Sequence, residues 1–357
     1  MKAAILRERH QPMEIRDDVT VLDIGPGDVH VRLAASGVCH SDLSSQTGTI
    51  PGPLPCVLGH EGAGVVLETG SAVQGLQSGD HVIASFTPAC GTCRRCLGKQ
   101  SYLCELMHSA SQAPRFRVGG DDIPGFCGLG TFAEEMVVPA ASLVAIPVDI
   151  PLHVAALIGC GVTTGVGASM WTAEISPGSS VLIIGAGGVG IAAIQGARIA
   201  GAAEILAVDM VESKLEQAKT FGATHAVTPD QLEDAKATLT GGDGFDFALE
   251  CIGRSDTVRQ AYDATRRGGT TVVVGMGSFT DNLTLNGFEL AYQAKTLKGS
   301  MYGSADVRTD FAKLLRLWRQ GKLDLEGMIS RRIALDDVND AFRAMEAGEV
   351  IRSVIDY

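Results

Sequence analysis

The sequence is short of positive charge. It contains 29 lysine and arginine residues against 41 aspartate and glutamate residues, and its formal net charge is −12. A nucleic-acid binder needs a basic surface that displaces phosphate counterions, and an anionic membrane surface likewise attracts basic patches. We therefore expect neither a nucleic-acid partner nor a membrane partner.

Long apolar segments are also missing. The first ten residues, MKAAILRERH, contain no apolar run of the kind found in secretory signals, so we expect a cytoplasmic protein. The stretch from Ile175 to Ala197 is uncharged, but Pro177 and several glycines interrupt it. This stretch predicts a turn, a strand, a second turn and a helix rather than a membrane span. The sequence shows no repeats and no low-complexity tract.

The composition and the spacing of apolar residues change near residue 160. A chain of 357 residues is long enough for two domains. The first part is rich in Gly and Pro with short apolar runs at Val29–Leu33, Gly64–Leu67 and His81–Ala84, which predicts a β-rich domain with many turns. Later, apolar runs alternate with segments of helical spacing, which predicts a parallel sheet covered by helices. The expected strands are Ser180–Ile184, Glu204–Val208, Phe245–Leu249 and Thr270–Val274; the expected helices are Val189–Ile199, Val211–Phe221, Thr257–Thr265 and Phe311–Arg319, and Asp337–Asp356 should contain a helix and a short strand.

A glycine-rich turn follows the first of these strands. Gly185, Gly187 and Gly190 form the pattern G-x-G-x-x-G between a strand and a helix, with Gly188 and Val189 inside it. The first glycine permits a tight turn, the second lets the backbone approach a pyrophosphate, and the third allows close helix packing. Asp209 ends the next strand, where a carboxylate would accept from a ribose 2′-OH and repel a 2′-phosphate. The pattern predicts a dinucleotide site that favours NAD over NADP.

Four of the nine cysteines are crowded into fifteen residues. Without an export signal, such crowding favours metal binding over disulfides. Four thiolates suit tetrahedral zinc, and a site closed by four sulfurs has no open position, so it is structural rather than catalytic. The predicted structural zinc ligands are Cys90, Cys93, Cys96 and Cys104, whereas Cys56, Cys127 and Cys251 fit ordinary core thiols.

Three further candidate ligands are scattered along the chain. Cys39 lies in GVCHSD, His60 in GHEGAG and Cys160 in IGCGVTTG. Each alone is better explained as a buried core cysteine or a hydrogen-bonded histidine than as a ligand. Together they supply two thiolates and one imidazole, which leaves a fourth zinc position for water or substrate, as in catalytic zinc sites. Spacing alone does not decide between these two interpretations.

The order of these motifs carries a family resemblance. GVCHSD, GHEGAG, the CxxCxxCx7C segment, GCGVTTG and GAGGVG together resemble the zinc-containing medium-chain alcohol dehydrogenases, and the resemblance runs from Lys2 to Tyr357. It implies an α/β plus β fold with two domains. A GroES-like catalytic domain, residues 1–161 and 303–357, is interrupted by a Rossmann domain, residues 162–302. The active site is expected in the cleft between them. It also implies NAD as cofactor, two zinc ions per chain, and reversible oxidation of a primary or secondary alcohol.

The resemblance also implies roles for individual residues. Cys39, His60 and Cys160 match the ligands of the catalytic zinc, and Glu61 matches an acid that approaches the metal transiently. The other implied roles are Asp42 orienting the zinc-bound imidazole; Ser41 bonding the substrate hydroxyl; His40 and Arg352 contacting the pyrophosphate; Lys214 contacting a ribose; and Thr164, Val189 and Val274 packing the nicotinamide ring.

The substrate pocket is only partly readable. Ile50, Phe86, Phe126 and Cys127 fall where the family lines its pocket, although each also fits ordinary core. Their apolar character suits a medium-sized aliphatic or aromatic alcohol.

Three alternatives remain open. A thiol-dependent formaldehyde dehydrogenase acts on a hydroxymethyl thiol adduct. Its glutathione form places an acid near Ile50 and an arginine near His108, and the absence of both argues against glutathione but not against another thiol. A relative that keeps NAD bound and recycles it with a second substrate is also possible. A non-enzymatic NAD-binding or crystallin-like protein is disfavoured, because it needs neither an open metal position nor Ser41.

The length of one loop bears on assembly. The segment between Cys104 and Cys160 keeps most of the long loop found in dimeric members of the family, so we expect a homodimer.

One position near Ser41 departs from the family. Many relatives carry a histidine three residues after the equivalent of Ser41, and here that residue is Ser44. Because serine does not titrate near neutral pH, we expect the proton of the alcohol substrate to leave the site without the help of an imidazole base.

Overall fold

A computed structural model describes all 357 residues, and they fall into two units. The first unit comprises Met1–Cys160, Asp306–Arg319 and Leu325–Tyr357, and the second comprises Gly161–Ala305 and Gln320–Asp324. The chain thus leaves the first unit after residue 160 and returns to it near its C-terminus.

The first unit is built mainly from antiparallel strands, as its turn-rich sequence predicts. Its largest sheet has seven strands, and the C-terminal strand Arg352–Asp356 pairs antiparallel with the long strand Asp28–Val38. The strand Glu61–Thr69 lies on the other side of Asp28–Val38. The full sheet consists, in spatial order, of Leu143–Ile146, His81–Ala84, Glu61–Thr69, Asp28–Val38, Arg352–Asp356 and Ile329–Ile333, with Glu135–Pro139 also pairing to Asp28–Val38.

Two small sheets and six helices complete this unit. The small sheets are Glu14–Arg16, Ala3–Leu6 and Cys56–Val57, and Thr20–Val21, Pro114–Val118 and Asp121–Pro124. The helices are His40–Gln46, Arg94–Leu97, Leu106–Gln112, Leu152–Ala156, Val307–Arg319 and Val338–Glu346. Helix Val338–Glu346 packs its buried face, including Val338 and Phe342, against a core that contains Leu6 and Phe132. That core lies beside the segments that carry the candidate metal ligands.

The second unit contains one six-stranded parallel sheet. Its spatial order is His225–Val227, Glu204–Val208, Ser180–Ile184, Phe245–Glu250, Thr265–Val273 and Thr296–Gly299. Numbered along the chain within this unit, the order is 3-2-1-4-5-6, which is the Rossmann order with its switch point between Ser180–Ile184 and Phe245–Glu250. The helices are Gly161–Gly167, Gly188–Ala200, Glu212–Thr220, Leu232–Thr240, Ser255–Ala264 and Gly287–Gln293, with a π-helical turn at Ala168–Thr172.

The predicted alternation of strands and helices is confirmed. Ser180–Ile184 and Glu204–Val208 have the predicted bounds, and the intervening helix Gly188–Ala200 differs by one residue at each end. Helix Val307–Arg319 begins four residues earlier than predicted: buried Val307 extends the apolar stripe of Phe311 and Leu314 by one turn, although the three residues that follow Val307 are polar. No single helix is long and apolar enough to cross a membrane, and only the bent pair Leu152–Gly159 and Gly161–Thr172 meets those criteria by length and composition.

Candidate zinc and dinucleotide sites

Cys39 is presented by the start of a short helix. It is the extended N-cap residue of helix His40–Gln46, with φ −118° and ψ 154°. Asp42, three residues later, accepts a hydrogen bond from the Cys39 backbone N–H at 3.2 Å. This reciprocal cap fixes the point at which the chain turns from strand to helix. The Cys39 backbone is therefore held by the same carboxylate that reaches the next candidate ligand.

His60 is aimed by Asp42 and by a glycine. Asp42 Oδ1 lies 3.0 Å from Nδ1 of His60 and accepts from the backbone N–H of Gly59 at 3.1 Å. Gly59 has φ +90°, and an added Cβ there would lie 2.4 Å from the backbone nitrogen of Phe132, so only glycine fits. Asp42 thus presents Nε2 of His60 toward the thiols, as the family resemblance implies for this residue.

The structure brings the three scattered ligands together. Ligand atoms of Cys39, His60, Glu61 and Cys160 all lie within 4.8 Å of one another, and all four residues are buried. Nε2 of His60 is buried and has no hydrogen-bond partner. The Cys160 thiol donates a hydrogen bond to Cys39, which holds the pKa of the Cys39 thiol well below its usual range. Burial of Cys39 opposes this shift, whereas the positive charges of His60 and Arg352 add to it. Two sulfurs, one of them readily ionised, and an orphaned imidazole nitrogen fit a zinc ion.

Glu61 and Arg352 are paired with each other. The Arg352 guanidinium donates to the Glu61 carboxylate, and both side chains are buried. Burial raises the pKa of Glu61 to about 7, although the positive charge of Arg352 opposes this shift. Gly37 makes room for the pair, because an added Cβ there would clash with the Glu61 carboxylate. The family resemblance implies Glu61 near zinc and Arg352 on a pyrophosphate, with no link between them, and the pyrophosphate contact stays a prediction.

Apolar rings wall the cluster. Phe86 and Phe126 meet the His60 ring edge-on, with centroids 5.9 Å and 5.4 Å away. Cys127 and Ile50 are partly buried and pack against the same core as Phe126. Cys127 adopts φ +55°, and burial raises its pKa to about 11. Phe126, Cys127 and Ile50 therefore share one apolar core, whereas Phe86 packs against a second core, and only Phe86 and Phe126 are placed against the His60 ring.

Ser41 and Ser44, the residue in place of the family's histidine, differ in position. Ser41 Oγ is 3.8 Å from Sγ of Cys39, so the hydroxyl adjoins the ligand cluster. The Ser44 carbonyl accepts from the backbone N–H of Ile50 at 2.9 Å, which ties Ser44 to the pocket-lining loop. Ser41 is thus the hydroxyl next to the candidate metal site.

The four crowded cysteines also converge. Their sulfur atoms lie within 4.8 Å of one another, with 3.8 Å between Cys90 and Cys96 and 4.0 Å between Cys93 and Cys104. Cys93 caps helix Arg94–Leu97 and its sulfur accepts from the Cys96 N–H at 3.5 Å. Against the effect of burial, hydrogen bonds from Thr92 and from the Cys93 N–H lower the pKa of Cys90 to about 6. A tetrahedral four-sulfur zinc site fits this cluster.

The glycine-rich turn lies at the switch point of the parallel sheet. Gly185 has φ +96°, and an added Cβ at Gly190 would lie 1.7 Å from the Gly185 carbonyl oxygen, so both positions require glycine. An added Cβ at Gly187 would meet nothing within 4 Å. Gly187 therefore lines an open cradle at the N-terminus of helix Gly188–Ala200, which fits a pyrophosphate. Asp209 accepts from the backbone N–H of Ala186 at 2.8 Å and so sits against this turn.

Sequence reasoning missed two side chains beside this turn. Met210 directly follows Asp209 and is 82% exposed, and Ile252 lies over Gly185 and is 45% exposed. Exposed apolar side chains next to a nucleotide cradle suit a flat base. The sequence feature that could have indicated them is a large apolar residue two positions after a strand, at Met210 after Glu204–Val208 and at Ile252 after Phe245–Glu250. The other predicted cofactor residues are divided between the units: His40 and Arg352 lie in the first, and Thr164, Val189, Lys214 and Val274 in the second.

Comparisons with known proteins agree with this architecture. The model of the alcohol dehydrogenase GroES-like domain matches residues 25–148, and the model of the zinc-binding dehydrogenases matches residues 188–320. The NDMA-dependent alcohol dehydrogenase of Amycolatopsis methanolica is 38% identical, covering 99% of this chain and 98% of that relative. The S-(hydroxymethyl)glutathione dehydrogenase of Paracoccus denitrificans is 34% identical, covering 100% and 99%.

The solved structures show the same relationship. The crystal structure of benzyl alcohol dehydrogenase from Acinetobacter calcoaceticus superimposes with a TM-score of 0.92 and 31% identity, covering 99% of this chain and 98% of that one. The predicted combination of a GroES-like and a Rossmann domain is therefore confirmed. This chain belongs to the zinc-containing medium-chain alcohol dehydrogenase family.

Proposed function

We propose that this protein is an NAD-dependent alcohol dehydrogenase that carries a catalytic zinc ion on Cys39, His60 and Cys160 and a structural zinc ion on the four clustered cysteines. The observation that carries the proposal is the His60 ring, whose Nδ1 is held by Asp42 while its buried Nε2 has no partner and faces two thiols. Zinc bound there would act as a Lewis acid and make the hydroxyl of a bound alcohol more acidic.

The protein's own residues supply orientation, proton transfer and a dry pocket. Asp42 keeps the proton of neutral His60 on Nδ1, which leaves Nε2 free to bind metal. The Ser41 hydroxyl would accept a hydrogen bond from the substrate hydroxyl and, on taking its proton, would pass its own proton on toward solvent. Phe86 and Phe126 would keep water away from the reacting carbon, so that a bound nicotinamide would supply hydride-acceptor chemistry in an apolar environment. The same groups serve aldehyde or ketone reduction.

The dinucleotide cradle supports NAD as the hydride acceptor. Gly185, Gly187, Gly188 and Gly190 would hold the pyrophosphate at the helix N-terminus, and the Asp209 carboxylate would accept from the adenosine ribose and repel a 2′-phosphate. Met210 and Ile252 would pack against adenine, and Lys214 would contact the ribose. Thr164, Val189 and Val274 would contact nicotinamide, and His40 and Arg352 the pyrophosphate.

Two narrower versions of this activity come from the relatives. The Amycolatopsis relative is named for dependence on NDMA, so the version in which a second substrate recycles bound NAD is kept as an alternative. The Paracoccus relative acts on a hydroxymethyl adduct of glutathione, which favours the thiol-adduct version. The apolar pocket supports a plain aliphatic or aromatic alcohol over both a charged peptide and a small polar adduct.

One set of assays distinguishes these versions. Purified protein is assayed with primary, secondary and aromatic alcohols and with formaldehyde–thiol adducts, each with added NAD and, separately, with an artificial electron acceptor. We expect turnover of benzyl or medium-chain alcohols with free NAD. Turnover only with the artificial acceptor, with NAD recovered from denatured protein, would support the bound-cofactor version. Inactivity towards all substrates with intact NAD binding would refute the enzymatic proposal.

We further propose that the protein is a homodimer that joins through its Rossmann unit. Thr296–Gly299 is an edge strand of the parallel sheet. The preceding segment exposes Phe279, Phe288 and Tyr292, with Phe288 and Tyr292 stacked 5.6 Å apart. An open edge beside exposed aromatic rings favours pairing with a second copy. Sedimentation should show a dimer, and replacing Phe288 and Tyr292 with serine should yield monomer; a monomeric parent would refute this proposal.

A further inference from the structure

Tyr357 bonds the backbone next to the segment that carries His60. The Tyr357 hydroxyl donates to the backbone carbonyl of Thr131 at 2.6 Å, and its backbone N–H donates to the Ala34 carbonyl at 3.2 Å. Tyr357 is partly buried and packs against two hydrophobic cores of the first unit. Burial raises the pKa of Tyr357 well above its usual range, so the hydroxyl keeps its proton and remains a donor.

Thr131 is the next link. It is fully buried, and its backbone N–H donates to the Gly59 carbonyl at 3.0 Å. The peptide unit whose carbonyl accepts from Tyr357 also contains the N–H of Phe132, which donates to Leu58 at 2.8 Å. This peptide unit is therefore gripped at its oxygen by Tyr357 and at its nitrogen by the residue before Gly59.

Gly59 connects this grip to the candidate metal site. Its left-handed conformation leaves no room for an added Cβ, which would meet the Phe132 backbone and the Thr131 side chain. Its N–H donates to the Asp42 oxygen that also bonds Nδ1 of His60. A rotation of the Thr131–Phe132 peptide would displace Gly59, and with it both the Asp42 carboxylate and the His60 ring.

We propose that Tyr357 is a positioning residue for His60, acting through Thr131, Gly59 and Asp42 to hold the imidazole in the geometry that binds metal. This inference rests on the proposed zinc site. Residues that directly support a metal ligand typically contribute 10–100-fold to metal affinity. Tyr357 acts through three further residues, so we expect a smaller effect of about three- to tenfold.

The test uses the full-length protein and removes one oxygen atom. In Tyr357→Phe, zinc release to a chromogenic chelator should be about three- to tenfold faster in the phase that belongs to the catalytic site. That phase is identified as the one missing from Cys160→Ala. In protein with cobalt exchanged into this site, the visible absorption bands should shift, because they report ligand geometry.

Ser169→Ala is the matched control. The Ser169 hydroxyl donates to the Ala193 carbonyl at 2.8 Å in the Rossmann unit, so this variant also loses one buried hydroxyl-to-carbonyl bond. We expect both variants to lose similar thermal stability and only Tyr357→Phe to change metal release and the cobalt spectrum. Equal stability losses with unchanged release and spectrum in both would overturn the positioning role. A parent protein with no metal in this phase would instead overturn the proposed function, and the role of Tyr357 with it.

Discussion

Arg352 and Glu61 form a buried ion pair between residues 291 positions apart in the sequence, with side chains only 4% and 0% exposed. Glu61 begins strand Glu61–Thr69, and Arg352 begins the C-terminal strand Arg352–Asp356. The central strand Asp28–Val38 lies between them and opens a gap at Gly37. Arg352 therefore neutralises a carboxylate that stands beside the candidate zinc ligands.

We expect the Arg352–Glu61 ion pair to contribute to the free energy of unfolding. Arg352→Ala removes the positive charge that pairs with a buried carboxylate, and we expect a loss of about 3–5 kcal/mol in the free energy of unfolding. Because Glu61→Ala breaks the same pair, the double variant should lose clearly less than the sum of the two single variants. Urea unfolding of all four proteins measures this coupling. Additive losses would show that the pair contributes nothing of its own.

Metal analysis tests the two proposed zinc sites. The parent should contain about two zinc ions per chain, because the ligand sets are complete and separate. Cys160→Ala should keep its fold and lose about one ion together with its activity, whereas Cys93→Ala should also lower the melting temperature, because metal binding at that lobe contributes to folding. Cys56→Ala, which removes a buried thiol that is not a ligand, is the control and should retain both ions. One ion in the parent would contradict the two-site proposal.

Asp209 should set the choice between NAD and NADP. Asp209→Ser removes the negative charge that repels a 2′-phosphate, so the ratio of kcat/KM for NAD over NADP should fall. The variant also loses the bonds from Ala186 and Val211 at 2.8 Å and 3.0 Å, so its affinity for NAD should fall too. Asp209→Asn keeps an acceptor oxygen and separates the effect of charge from that of hydrogen bonding. A parent enzyme that prefers NADP would show that this interpretation of Asp209 is wrong.

Ser41 and Ser44 should differ in their contribution to turnover. Ser41→Ala removes the hydroxyl beside the ligand cluster, and we expect kcat to fall by about 10²-fold or more. Ser44→Ala should lower kcat by less than about tenfold, because no general base acts at that position. Pre-steady-state and pH–rate measurements on both variants and on Ser44→His test this directly. Equal losses in Ser41→Ala and Ser44→Ala would make Ser44 an essential part of the proton path.

Asp246 should make the stability of the Rossmann unit depend on pH. Although burial opposes the shift, hydrogen bonds from the Ser180 N–H and hydroxyl and from Arg266 lower the pKa of Asp246. A carboxyl group with a lowered pKa stabilises the fold above its unfolded pKa, near 4, and loses that contribution as pH falls through its folded pKa. Asp246→Asn should therefore melt below the parent at pH 7, with the gap closing below about pH 4. A gap that is unchanged by acid would exclude the charged form as its source.

Much of the fold follows from local sequence. The strand Ser180–Ile184, the turn that begins at Gly185 and the following helix are specified by apolar period and by glycine, because both act over a few residues. The four crowded cysteines are close in sequence, so their convergence is also a local matter. Short or polar elements escaped prediction: His225–Val227 has only three residues, and Thr296–Gly299 is an edge strand without a continuous apolar run.

The contacts that complete the candidate catalytic site join residues that are far apart in the sequence. Which residue types are available as ligands can be seen in the sequence, and the family resemblance suggests their grouping. The contacts of Arg352 with Glu61 and of Tyr357 with Thr131 appear only in the folded chain. Both contacts depend on the C-terminal strand pairing with Asp28–Val38 in one register, where Gly37 faces Val354 and Ser36 faces Ile355. Register is set by packing across the whole sheet, which is why residues separated by hundreds of positions give no local sign that they will meet.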